Sequence, residues 1–248
     1  AMFGPDGEVL QPSEALYKKN ALVLSGRFRP YTIVHRDMLE KATAMFLQEP
    51  EVDKSKTIII SELSLNSLID THGDIHDEDF LDRVDVLCSQ GHTVMITNFL
   101  DYWYLMPYLT RMTRGRQVGF VLSMRNIERI FDVSQYPGVP GGLLEVISML
   151  FGQNLRAYAY PALRRSNGEL IGLQQLEVGT KQASLLQYLI ENDKIKAVAK
   201  ANIDLLQIDA DQLLEKIKHN EPGWEKLVPE ETVGLIRSNS LFGFPGTQ

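Results

Sequence analysis

Residues 25–35 read SGRFRPYTIVH, and this short run separates two different hydrophobic patterns. Before it, the apolar residues 21–24 predict a buried strand over residues 20–28. After it, apolar residues at helical spacing predict a helix over residues 36–48. A tight loop between a strand and a helix presents backbone N–H groups at the helix N-terminus, where phosphate binds. The run therefore predicts an anion-binding turn.

The same alternation of strand and helix continues along the first half of the chain. Strands that are nearly all apolar and are separated by helices indicate a parallel sheet covered on both faces. Right-handed crossovers then give a doubly wound α/β fold. The predicted strands are residues 57–63, 92–99 and 117–123, and the predicted helices are residues 77–90 and 101–113.

The pattern changes after Asp132. Residues 136–142 are rich in Gly and Pro and predict a loop. We divide the chain into a core of residues 1–132 and a mixed α/β continuation of residues 133–248 with a helical C-terminus, which form either one domain or two. In the continuation we predict strands at 155–162 and 170–178 joined around Asn167-Gly168, a strand at 203–208, and helices at 143–151, 182–192 and 210–219.

Composition excludes several classes of protein. The 248 residues are 44% hydrophobic and 23% charged, which indicates a globular chain with a substantial core. The net charge of −7 argues against a general nucleic-acid binder. The single cysteine, Cys88, excludes an internal disulfide and a zinc site built from several thiolates. No apolar run is long enough to span a membrane and no signal peptide is visible, so we expect a cytoplasmic protein.

The two ends of the chain suggest partners. The sequence begins with Ala1 rather than Met, which is consistent with one domain of a longer chain. Near the C-terminus, Trp224, Phe242 and Phe244 are expected to dock either on the sheet or on a second copy of the chain, as in a homo-oligomer.

Each residue type in the 25–35 run suits a phosphate site. Gly26 lets the backbone turn close to a ligand, and Pro30 stiffens the loop. Thr32 offers a hydroxyl to a phosphate oxygen, and His35 can donate to an oxygen that develops charge during phosphoryl-type transfer. The loop also carries Arg27 and Arg29, which are candidates for contact with phosphates.

Five positions of this run match a known pattern. Gly26, Phe28, Pro30, Thr32 and His35 resemble the G-x-F-x-P-x-[TH]-x-G-H signature of the nucleotidylyltransferase superfamily. Val34 departs from it, because the family has glycine there. The whole chain more loosely resembles bacterial nicotinate-nucleotide adenylyltransferase-like proteins, in residues 79–85, 97–99 and 224–229. The family's second motif, I-S-S-T-x-x-R, is not found in this sequence.

The resemblance implies a fold and a reaction. The fold is a Rossmann-like sheet, and the reaction is transfer of an adenylyl group from ATP to a nicotinate or nicotinamide mononucleotide, with Mg²⁺ on the phosphates and release of pyrophosphate. His35 and Thr32 would be catalytic, with Gly26, Arg27, Phe28 and Arg29 forming the nucleotide cradle. The alternative is a catalytically inactive Rossmann-like module that binds a nucleotide or assembles with a protein.

Other candidate residues follow from position alone. Ligands of open α/β sheets lie beyond the carboxyl ends of the strands, which makes Asn98 and Ser123 nucleotide-binding candidates. The segment 72–79 crowds two histidines with several carboxylates. We interpret it as a solvated acidic loop in which Asp77 caps the next helix, in preference to a metal site, because no distant ligand set is evident.

Overall fold

The computed structural model describes residues 1–65, 77–99, 101–152 and 154–246. Within these ranges the chain forms an eight-stranded sheet and a separate two-stranded hairpin. The strands are β1 (Met2–Phe3), β2 (Val9–Leu10), β3 (Asn20–Ser25), β4 (Thr57–Ser64), β5 (Thr93–Thr97), β6 (Val118–Ser123), β7 (Leu155–Tyr160), β8 (Ala162–Leu163), β9 (Leu170–Ile171) and β10 (Ile195–Ala197).

The main sheet is parallel apart from one edge. Its order is β10-β7-β6-β3-β4-β5-β1-β2, in which β1 pairs antiparallel with both β2 and β5 and the other five pairings are parallel. The chain moves outward from β3 through β4 to β5, then returns to the other side of β3 for β6, β7 and β10. This reversal defines a doubly wound Rossmann-like sheet, so the predicted α/β fold class is confirmed.

Helices cover both faces of the sheet and enclose two hydrophobic clusters. In one cluster, the C-terminal Trp224, Phe242 and Phe244 pack with α2 residues such as Phe46. The C-terminal aromatic residues therefore dock on their own sheet domain. The α-helices are α1 (Pro12–Ala15), α2 (Ile33–Phe46), α3 (Asp77–Ser89), α4 (Tyr102–Met112), α5 (Met124–Phe131), α6 (Gly142–Leu150), α7 (Ala183–Glu191), α8 (Ala210–Lys218) and α9 (Glu230–Asn239).

Two predicted strands of the continuation were wrong. Residues 203–208 form a 3-10 helix, Ile203–Gln207, because the Asn202 side chain accepts a hydrogen bond from the Asp204 N–H and caps it. The strand predicted at 170–178 stops after Ile171, where Gly172 begins the 3-10 helix Leu173–Gln175. The hairpin therefore joins β8 to β9, while β7 pairs in parallel with β6 in the main sheet.

Five strands and α-helices were not predicted: the antiparallel edge strands β1 and β2, the helices α1 and α5, and the last parallel strand β10. Strands β7 and β10 come from the segment after residue 132 and extend the sheet of the predicted core. No helix in the described ranges is both long enough and apolar enough to cross a membrane.

Candidate functional site

The candidate site lies at the carboxyl ends of β3 and β6, where the strand order reverses. Neighbouring crossovers leave this point toward opposite faces of the sheet, which opens a crevice there. The β3–α2 loop and the start of α5 form one side of the crevice, and residues 206–211 form the other. The crevice has a volume of about 590 Å³, which is within the range of small-ligand pockets. We refer to it below as the cleft.

The loop after β3 is shaped by one aromatic side chain. Phe28 has a positive φ of 45° and is 1% exposed, so its ring turns back into the protein. A Cβ on Gly26 would lie 2.9 Å from that ring. Glycine is therefore required at position 26 by the packing of Phe28, which explains the pairing of these two residues in the sequence.

His35 occupies the first turn of α2 and lines the cleft. Its Nδ1 accepts a hydrogen bond from the Thr32 backbone N–H at 3.0 Å and lies 2.9 Å from the Thr32 hydroxyl. Because Nδ1 is an acceptor, the proton of the neutral ring is assigned to Nε2. His35 thus completes the start of α2 as a Gln or Glu side chain does in a capping box, and its Nε2–H remains a donor.

Aromatic neighbours hold the His35 ring. It stacks on Tyr31 at 5.6 Å between ring centroids and meets Phe28 edge-on at 5.2 Å. Burial lowers the pKa of His35 from its usual 6.5 to about 4. The imidazole is therefore neutral at physiological pH, which suits a hydrogen-bond donor to a phosphate oxygen better than a group that changes charge.

The cleft is basic although the chain is acidic. Its described lining residues include four arginines, Arg27, Arg29, Arg125 and Arg165, against two aspartates, Asp209 and Asp211. The net charge of the whole chain is −7. A local reversal of sign at a sheet switch point concentrates anionic ligands there.

Two of these arginines are held differently. Arg125 donates from both Nε and Nη2 to the Leu163 carbonyl oxygen, at 3.1 and 2.7 Å, which fixes its guanidinium. Arg165 is exposed and has no ion-pair partner within the described part of the chain. One arginine is therefore preorganised and the other is free to adapt to a ligand.

Three helices begin at the cleft: α2, α5 and α8. The N-terminus of a helix carries partial positive charge and unpaired N–H groups. At α8 these groups are already occupied, since Asp209 accepts hydrogen bonds from the N–H groups of Asp211 and Gln212 at 2.9 and 3.0 Å. At α5 the Ser123 hydroxyl accepts from the Asn126 N–H at 3.3 Å.

A single carboxylate joins the two sides of the cleft. Asp37 on α2 accepts hydrogen bonds from the Tyr160 hydroxyl at 2.5 Å and from the Asn202 N–H at 3.0 Å. Asn202 begins the segment that leads to the α8 side of the cleft. The contact therefore ties this segment to the helix that carries His35.

The structure brings most of the predicted site residues to one place. His35, Arg27, Phe28 and Arg29 line the cleft, and Gly26 shapes the loop beside it. Thr32 is 2% exposed and its hydroxyl contacts the His35 ring, a position that suits orienting the ring more than touching a ligand.

The other two predicted residues lie outside the cleft. Ser123 lines an adjoining cavity that shares Arg125, Asn126 and Arg165 with the cleft. Asn98 is exposed and follows β5, two strands away from the switch point. Their proposed contact with a nucleotide stays a prediction.

Val34 does not fill the cleft. Its half-buried side chain packs against the hydrophobic cluster that contains Trp224, and it is not among the described residues that line the cleft. The N–H of the preceding residue, Ile33, donates to the Leu227 carbonyl oxygen at 3.1 Å, which holds this turn against the C-terminal segment.

Sequence reasoning missed the far side of the cleft and two of its four arginines. The residues involved are Arg125, Asn126, Leu163, Arg165 and residues 206–211. A signal for Arg125 and Asn126 was present, because they directly follow the strand that borders the switch point. The others come from the hairpin that contains β8, from the 3-10 helix at 203–207 and from the start of α8, and their placement against the cleft has no local sequence signal.

Comparisons with known proteins agree with this architecture. No protein-family model and no curated protein matches the sequence. Two solved structures of Plasmodium falciparum nicotinic acid mononucleotide adenylyltransferase, one complexed with APC and one with NaAD, superpose with a TM-score of 0.52. The chain shares their fold. The sequence identities are 12% and 11%, and each alignment covers 92% of this chain and 98% of the other. At this identity the likeness establishes the fold alone.

Metal binding has little support from protein side chains. The described residues contain no group of three or more His, Cys, Asp or Glu side chains placed to hold a metal ion. Residues 72–76 of the acidic segment singled out in the sequence lie outside the described residues.

The Tyr31 hydroxyl yields a stability prediction. Tyr31 is 0% exposed, and its hydroxyl has no hydrogen-bond partner among the described residues. Leaving such a group unsatisfied costs about 1–3 kcal/mol, so Tyr31→Phe should raise the melting temperature by a few degrees while the ring stack on His35 remains. Tyr160→Phe is the matched control and should lower the melting temperature, because its hydroxyl bonds to Asp37. Equal shifts of the same sign in thermal unfolding would contradict the assignment.

Glu62 yields a second stability prediction. This residue is 5% exposed at the end of β4 and accepts a hydrogen bond from the Thr97 hydroxyl at 2.6 Å. Burial raises its pKa, so the folded state binds the proton more tightly than the unfolded chain. The folded state therefore loses stability as pH rises from the ordinary pKa of the carboxyl through the raised one, and the loss stays constant above that. We expect Glu62→Gln to raise the melting temperature at pH 7, and we expect this rise to become smaller as the pH falls. The exposed Glu177→Gln should produce neither effect, and a loss of stability at pH 7 in Glu62→Gln would reject the argument.

Proposed function

We propose that the chain binds the phosphates of a nucleotide in the cleft and transfers an adenylyl group from ATP to a nicotinate or nicotinamide mononucleotide. The observation that carries the proposal is the neutral His35 ring, whose proton resides on Nε2 at the edge of a basic cleft. A fixed donor beside several guanidinium groups is what stabilises the charge that develops on a transferred phosphoryl group.

In the proposed reaction the 5′-phosphate oxygen of the mononucleotide attacks the α-phosphorus of ATP. The new P–O bond forms as the bond from the α-phosphorus to the bridging oxygen breaks, and pyrophosphate leaves with the electron pair. His35 donates a hydrogen bond to a non-bridging oxygen, and no covalent intermediate with the protein is needed. The arginines Arg29 and Arg125 hold the phosphates in place, which is the main requirement of this chemistry.

The ring environment supports this role for His35. A donor to a phosphate oxygen works without proton transfer, so its pKa should be far from physiological pH, and the pKa of His35 is about 4. The Thr32 contacts hold the ring in one tautomer and one orientation. Thr32 is therefore proposed as a positioning residue for His35.

A second candidate function is nucleotide binding without catalysis. The observation that favours it is Asp209, which occupies the first N–H groups of α8 on the far side of the cleft. Phosphate sites at helix N-termini use such N–H groups for the ligand. Because Asp209 already occupies the first N–H groups of α8, the cleft has fewer hydrogen-bond donors for the leaving pyrophosphate.

Pyrophosphate release separates the two functions. The protein is incubated with ATP, Mg²⁺ and either mononucleotide, and both pyrophosphate and the dinucleotide product are measured. Product that requires the mononucleotide supports the adenylyltransferase. A melting temperature that rises with ATP, without any product from either acceptor, supports the binding module instead. No shift at millimolar ATP rejects both.

A further inference from the structure

The two sides of the cleft carry opposite charge. Arg29, Arg125 and His35 belong to the side formed by the β3–α2 loop and α5. The facing side, at the start of α8, contributes the carboxylates of Asp209 and Asp211. An anion therefore meets attraction on one side and repulsion on the other.

Of these two aspartates, Asp209 caps the start of α8 and Asp211 does not. Asp209 accepts two hydrogen bonds from α8 N–H groups through Oδ1. Asp211 lies beside Arg27, whose Nη1 is 3.8 Å from Asp211 Oδ1. The two side chains are 60% and 79% exposed, so this ion pair is weak and separates at little cost.

The contact between Arg27 and Asp211 has two effects on an incoming anion. It removes part of the attraction of Arg27 for an anion, and it places a carboxylate beside the guanidinium group that an anion would contact. Both effects grow with the number of negative charges on the ligand, because each phosphate charge interacts with the carboxylate separately. Free ATP is affected most, and a monophosphate or a triphosphate partly neutralised by a divalent cation is affected less.

We propose that Asp211 determines the charge selectivity of the cleft, admitting nucleotides of low negative charge and opposing free nucleoside triphosphates. This inference rests on the proposed binding of nucleotides in the cleft. It assigns to Asp211 a role in specificity that is separate from the chemistry at His35. Replacement of Asp211 by Asn removes the charge and retains the size and hydrogen-bonding capacity of the side chain.

Calorimetric titration tests the inference with three ligands at low salt: AMP, ATP in the presence of a chelator, and ATP with excess Mg²⁺. For the unmodified protein we expect free ATP to bind more weakly than its Mg²⁺ complex. Asp211→Asn should raise the affinity for free ATP about fivefold and for AMP less than twofold. The gain should shrink at higher salt, because the carboxylate is exposed.

The matched control is Asp204→Asn. Asp204 is also an exposed aspartate in the first turn of a short helix, and it is not among the described residues that line the cleft. Its replacement by Asn changes the net charge of the protein by the same amount. An equal gain in this control, or no gain for free ATP in Asp211→Asn, overturns the inference and leaves nucleotide binding intact. Failure of all three ligands to bind any of these proteins rejects the proposed function together with the inference.

Discussion

Replacing His35 by Gln should lower the rate of adenylyl transfer at least about 100-fold while the protein stays folded. Gln is the residue that a capping box normally places three positions after the N-cap, so it can still accept the hydrogen bond from the Thr32 N–H. The variant thus retains the start of α2 and removes the imidazole donor. Steady-state measurement of pyrophosphate release gives the rate, and thermal unfolding reports whether the fold is kept.

Two further measurements make this result specific. His219→Gln changes an exposed histidine at the end of α8, and its turnover should equal that of the unmodified protein. The affinity of His35→Gln for the Mg²⁺ complex of ATP should change by less than about tenfold, since the arginines of the cleft are unaltered. Turnover that survives in His35→Gln would remove His35 from the chemistry.

Lowering the pH from 7 to 4 should destabilise the protein by several kcal/mol. Burial lowers the pKa of His35 to about 4, and burial followed by the charge of Arg36 lowers the pKa of His92 to about 4. Between pH 6.5 and 4 the unfolded chain takes up protons on these two rings and the folded chain does not, so acid favours unfolding. Each ring contributes a loss on the order of 2 kcal/mol.

Denaturant titrations at a series of pH values test this expectation. His92→Gln should reduce the loss between pH 7 and 4 by about 2 kcal/mol, because the contribution of one ring is removed. The contribution of carboxylates is common to both proteins and cancels in the difference. His219→Gln, which alters an exposed ring, is measured alongside as a control for the substitution itself. An identical slope in His92→Gln and the unmodified protein would refute the assignment.

The sheet was predictable where the sequence signal is local. Strands β3, β4 and β6 each contain a short continuous apolar run, and α2 has apolar residues at helical spacing. These features follow from the chain's own periodicity. Strand β10 has three residues including Lys196, and β1 has two, so neither has enough length to show a period.

The candidate site was predictable on one side only. The shape of the loop from Gly26 to His35 depends on contacts between residues that are close in the sequence. The packing of the Phe28 ring beside Gly26 and against His35 is an example. The far side depends on where residues 206–211 are placed by tertiary contacts. Without the fold, Asp209 and Asp211 are indistinguishable from the acidic residues that start many helices.

The bond network around Asp37 has a consequence for how the cleft recognises size. Because this one carboxylate holds both the Tyr160 hydroxyl and the Asn202 N–H, the helix that bears the imidazole and the segment that faces it keep a set spacing. The spacing is imposed from outside the cavity, by atoms that no ligand needs to touch. The protein itself therefore sets the width of the cleft. A ligand too wide for that spacing must first break a hydrogen bond of Asp37, which lies away from the ligand's own binding contacts.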